Sequence, residues 1–186
     1  MLDRYAEPPR DAATLAARRE ALLDQLGWLE DEAAALAPLL AGLPAWATEQ
    51  APLPTDLSAK QTFAWLARLD RDVYPEWTAR LRAEDGPEFT TPTAEGDAAA
   101  NGRSLGDLLA DLRAARADLR ASLEAVPTEA WARRASLDGA ETDLYGLALA
   151  IVQRDADHLK ELAYRLHEAD LRPPKPASPP QRPGAL

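Results

Sequence analysis

The chain has 186 residues, 46% apolar and 28% charged, which suffices for one well-buried domain and is too short for two of ordinary size. Its formal net charge is −10, and because Arg172, Lys175 and Arg182 lie in an acid-free last segment, residues 1–171 set 18 of the 21 basic residues against all 31 acids. An acidic body excludes nucleic acid and anionic membranes as expected partners, no apolar run approaches a membrane span, and the absence of cysteine excludes disulfides, thiolate metal sites and a Cys nucleophile.

The opening stretch MLDRYAEPPR carries acids and no apolar core, so no secretory signal is read and the cytoplasm is the expected compartment. A first helix is expected from about Asp11 to Leu40, where Leu15, Leu22, Leu26, Leu29, Ala33, Leu36 and Leu40 recur at helical steps. Gly42 and Pro44 end it, and Pro52 and Pro54 mark a loop running to Asp56. Ser58 opens a second helix, since Ser-Ala-Lys-Gln fits a capping box with Gln61. That helix should bury Phe63, Leu66, Leu69, Val73, Trp77 and Leu81, and Pro75, which lacks an amide hydrogen, should kink it near Arg71 to Tyr74.

No periodicity survives from about Ala83 to Arg103, where glycines and prolines punctuate a stretch long enough to cross a whole bundle. A third helix begins at Ser104, with a second candidate box at Asp107, and points Leu105, Leu108, Leu109, Leu112, Leu119 and Leu123 inward before Pro127. Thr128 to Arg133 reads as a short helical turn, and a fourth helix runs from after Thr142 to about Glu168. No strand is read. The expected fold is all-α: a four-helix bundle over residues 1–171 with a long crossover between helices two and three, followed by a flexible Pro-rich tail at 172–186, RPPKPASPPQRPGAL, with no core face.

Bundles build sites from polar side chains on inward faces, and the fourth helix supplies them. Taking about 100° per residue from Ile151, Leu144, Leu162 and His158 all lie within about 20° of it. Arg154 and Asp155 flank the same face, while His167 points to solvent. An isolated His of this kind is most simply a core histidine with satisfied nitrogens; a metal or catalytic position is the sharper reading. Arg154 reads as a flank residue, and, if it faces a site, it needs Asp155, Asp70, Asp72 or an anionic ligand as its partner. Ser104, Ser122 and Ser136 have no nucleophile-elbow setting. Asp155 and His158 have the spacing of one ligand pair of a di-metal bundle, but no second pair exists.

The segments SAKQTFAWLARLDRDVYPEW and IVQRDADHLKELAYRL, in this order and at this separation, resemble the DinB/YfiT-like superfamily of bacterial four-helix bundles. Its members carry W-S-x-K-[EQ]-x-x-x-H-L at the start of helix two and H-x-x-x-H-L in helix four. The resemblance spans about residues 11–168 and implies an up-down-down-up bundle. It also implies a divalent metal on three histidines, in thiol-dependent transferases and an isomerase among others. Carried over position by position, the metal ligands fall on Trp65, Arg154 and His158, with Leu57 in place of the motif Trp. Indole offers no metal lone pair and guanidinium stays protonated, so only His158 remains as a vestigial ligand and no cofactor is expected. The resulting expectation is a DinB-like protein that has lost its metal site and binds a small molecule, an anion near Arg154 or a protein partner. It would be stress-associated in one reading, with the Pro-rich tail as a docking peptide, and a homodimer in another. The alternative is a metal- or thiol-cofactor-dependent transferase using His158.

Overall fold

The computed structural model describes residues 11–53 and 55–171. The chain is mostly helical. The first helix, α1 (Ala12–Leu40), is capped by Asp11, whose carboxylate accepts from the Ala13 and Thr14 amides. A short helix, α2 (Ala45–Glu49), interrupts the stretch expected to be a loop; Pro44 stands at its N-cap, where a missing amide costs nothing. The expected capping box is present in full at the start of α3 (Ala59–Arg68): Gln61 N–H donates to the Ser58 hydroxyl, and Ser58 N–H donates to the Gln61 side chain.

A wide π-turn, Leu69–Val73, joins α3 to α4 (Tyr74–Ala83), with the Tyr74 amide donating to the Leu69 carbonyl five residues back. It stands where Pro75 was expected to kink the helix, and it takes the form of a widened turn. It has one effect the stripe did not anticipate, because Tyr74 is buried and Val73 only half-buried. Then follow a 3-10 turn (Ala98–Gly102), α5 (Leu105–Glu124), a second 3-10 turn (Thr128–Ala132) and α6 (Leu144–Leu171). Ser104 accepts from the Asp107 amide, as expected of its cap.

The reading without strands is corrected by a small sheet. Its strands are β1 (Glu88–Phe89), β2 (Ala135–Leu137) and β3 (Ala140–Thr142), with β1 parallel to β2 (Glu88 opposite Ser136) and β2 antiparallel to β3 (Ser136 opposite Glu141). Asp138 and Gly139 turn the hairpin with φ of 52° and 80°. Two left-handed residues in succession are what a type I′ turn requires, and Asp-Gly is among its preferred pairs. The Asp138 carboxylate also accepts from the Thr91 amide at 2.9 Å and the Thr91 hydroxyl at 2.5 Å. The hairpin therefore fastens the crossover segment to the body.

One core lies among the long helices: α1 packs chiefly on α5 and α6, and α3 packs on both of the same helices. Phe63, Leu66, Leu119, Trp131 and Tyr145 are fully buried in it. Among the described residues no helix is long and apolar enough to cross a membrane. The Pro-rich segment 172–186 lies outside the described residues, as does the stretch read for a secretory signal.

Candidate functional site

Three helical segments bring polar side chains to one level of the core. The π-turn contributes Asp70, α5 contributes Arg116, and α6 contributes Asp155; these are 1%, 3% and 1% exposed. Arg116 Nε donates to Asp70 Oδ2 at 2.7 Å, and Arg116 Nη2 forms an ion pair with Asp155 Oδ2. One guanidinium thus serves two carboxylates, while Oδ1 of each aspartate is buried without a partner among the described residues. Burial pushes the Asp70 carboxyl up to about 7 against the opposing pull of Arg116, and burial likewise raises Asp155.

Arg116 escaped the sequence reading, which sought polar inward residues on the fourth helix alone. The signal was present: residue 116 fills the gap between Leu112 and Leu119 on an otherwise apolar stripe. The partners expected for Arg154 are corrected accordingly. Asp70 and Asp155 belong to Arg116, and Arg154 Nη1 instead donates to the Tyr74 hydroxyl at 2.6 Å, its guanidinium 6.0 Å from the ring centroid. Asp72 is exposed on the far side of the π-turn. Tyr74 meets Trp77 edge-on at 5.4 Å, and Trp77 stacks on Phe89 of β1 at 5.0 Å, so rings connect this corner to the sheet.

Trp65, on the margin of the expected stripe, is buried, and its ring meets the His158 imidazole edge-on at 5.1 Å. Two of the three positions singled out by sequence are therefore in contact. The third, Arg154, lies one turn before His158 and is engaged with Tyr74. His158 is half-buried rather than enclosed, and burial lowers its pKa. The ring makes no hydrogen bond among the described residues. His167 is exposed.

His158 borders a cleft of about 210 Å³ with Asp56, Thr62, Ala94, Glu161 and Arg165 among its other walls. Ala94 comes from the crossover. That segment is held close to α3 at Gly96, where an added Cβ would stand 2.9 Å from Leu57 Cδ2 and from Gln61 Nε2. Arg165 reaches the Leu57 carbonyl at 3.3 Å, pairs with Glu161, and lies 4.0 Å from Asp56.

The donor set does not fit a divalent metal. Of the three ligand positions only His158 offers a lone pair, and Asp155, its i−3 neighbour, is tied to Arg116. Among the described residues there is no group of three or more His, Asp or Glu side chains able to hold an ion. Nucleophilic catalysis finds no better footing: Ser104 caps α5, and Ser122 Oγ donates to the Leu119 carbonyl. What the cleft offers is binding chemistry: an imidazole without a hydrogen bond, two carboxylates, a guanidinium and two hydroxyls beside apolar wall. The chain matches no protein-family model, no curated protein and no solved structure.

Proposed function

We propose that this chain is a DinB/YfiT-like four-helix bundle that has lost its metal and works as a non-metal, small-molecule-binding protein through the cleft beside His158. The four bundle helices are α1, the α3–α4 run through its π-turn, α5 and α6, in up-down-down-up order. Two features support that order. The first and second helices share the third and fourth as neighbours, and the segment between α4 and α5 is long enough to return along the bundle.

The observation that carries the functional reading is the edge-on contact of Trp65 with His158. An indole fills the place of the helix-two ligand, and a guanidinium committed to Tyr74 fills that of the first helix-four ligand. The alternative, a transferase of the same family type, draws on the unbonded His158 imidazole, whose pKa burial lowers, as a base.

Calorimetric titration with Zn²⁺ and Ni²⁺ tests the reading. The original chain should bind neither at one ion per chain. The double variant Trp65→His with Arg154→His should bind Zn²⁺ at about micromolar affinity or tighter, because three imidazoles with an open fourth position suit the ion. Tight stoichiometric binding by the original chain would overturn the reading and favour the transferase. Equal weak binding by both would show that the three positions do not form a site.

A further inference from the structure

The cleft at His158 adjoins a larger groove, of about 440 Å³, with Leu57, Leu162 and Arg165 common to both. The groove runs along α2 and the last turns of α6. Its walls are apolar for most of their length, through Trp46, Ala47, Pro52, Ala59 and Leu166. Joined, the two volumes fall in the range of small-molecule sites. The two ends differ in kind: hydrocarbon and indole surface lines one, and hydrogen-bonding groups line the other.

Charge decides which head group the polar end accepts. Asp56, Glu161 and Glu168 stand along the joined walls with a single cation, Arg165. That guanidinium is already engaged by the Leu57 carbonyl, Glu161 and Asp56. A carboxylate or phosphate head at the polar end would meet Asp56 and Glu161 and, among the described residues of its lining, no cation but the engaged Arg165. The His158 imidazole, which makes no hydrogen bond among the described residues, and the second carboxylate oxygen of Glu161, whose first accepts from Arg165, supply acceptors on adjacent turns of α6. An ammonium group has three donors and no acceptor, which complements this set.

We propose that the joined cleft and groove bind an amphipathic primary amine, its ammonium between His158 and Glu161 and its apolar body along Trp46, Pro52 and Leu166. The proposal rests on the metal-free binding reading above and names the ligand class of that same site. A bound amine places its alkyl or aryl part where water now covers apolar surface, and the burial of that area drives association. Selectivity comes from the acids, which attract the cation and repel an anion of equal length.

Decylamine, decanol and decanoate, titrated into the full chain by calorimetry with tryptophan fluorescence as a second readout, separate the contributions. One decylamine should bind per chain, with decanoate weaker by about tenfold or more. Glu161→Gln, at an exposed position, should weaken decylamine by about fivefold and leave decanol unchanged, since only the charged head feels the carboxylate. Ala51→Trp, which fills the apolar end from an exposed position, should weaken all three probes. Decanoate binding as tightly as decylamine, or an amine affinity indifferent to Glu161→Gln, would overturn the assignment of the head group. Failure of all three probes would overturn the ligand class, and the metal titration above would still decide the metal-free reading independently.

Discussion

Asp155 of α6 takes its ion pair from Arg116 of α5, and not from Arg154, its neighbour in the chain. The choice follows from where the two guanidiniums lie. Arg116 is enclosed at the level of Asp70 and Asp155, whereas Arg154 lies half-buried at the edge, where a phenol hydroxyl suffices. A buried cation between two buried carboxyl groups makes the core dependent on all three together.

Arg116→Met should therefore cost about 3–5 kcal/mol, because it leaves two carboxylates in the core without their cation. The triple replacement Asp70→Leu, Arg116→Met and Asp155→Leu should cost far less, or stabilise, since no charge then remains to be desolvated. Urea unfolding of the two variants checks this. A triple variant less stable than the single one would show that the cluster contributes net stability.

The same cluster sets a pH dependence. Burial moves the Asp70 carboxyl from 3.8 to about 7, so between these values the folded chain holds a proton that the unfolded chain has released. Stability from this group is fully present below the lower value and is lost as pH rises through the upper one. His158, with its pKa lowered by burial, acts in the opposite sense, favouring the unfolded chain as pH falls below 6.5. Asp70→Asn leaves the histidine contribution in place. Urea midpoints from about pH 4.5 to 7.5 should thus decline with rising pH more in the original chain than in the variant. Parallel profiles would refute a proton on Asp70.

Arg154 and Tyr74 form a pair suited to a double-mutant cycle. Arg154→Met and Tyr74→Phe should each cost about 1–2 kcal/mol, with a coupling energy of about 1 kcal/mol for the shared hydrogen bond. Additive effects would mean that the guanidinium does not rest on the phenol in solution.

At the hairpin, Gly139→Ala places a side chain at φ 80° and should lower stability by about 1 kcal/mol. Asp138→Ala removes both hydrogen bonds to Thr91. Hydrogen exchange at the Thr91 amide should then accelerate while amides in the middle of α5 keep their protection. Loss of protection throughout would show that the hairpin supports the whole core.

The long helices were legible because each carries a continuous apolar stripe, and Ser58 with Gln61 marked a helix start that the structure shows in both hydrogen bonds. The sheet was not, for strands of two and three residues are too short to display alternation. Only Asp138-Gly139 announced it. Trp65 and His158 could be paired through the resemblance, and the structure puts their rings in contact. The ion cluster needed a different signal. Asp70 and Arg116 each interrupt a leucine stripe with a charge, and two such interruptions on different helices identify one another only when the helices are seen to face.

The π-turn makes the α3–α4 run one residue longer than a regular helix with the same faces. At about 100° per residue, Tyr74, Trp77 and Leu81 stand nearly one residue's rotation ahead of the face set by Leu66 and Leu69, and the wide turn absorbs that phase. Deleting one exposed residue of the turn, such as Asp72, would leave the downstream rings aimed at the core, whereas a deletion elsewhere in the helix would swing them away. Pro75 would then enter a regular turn, where its ring collides with the carbonyl four residues back. The surplus residue and the proline are thus linked: the run can lose the surplus residue without distorting the helix only by losing Pro75 as well.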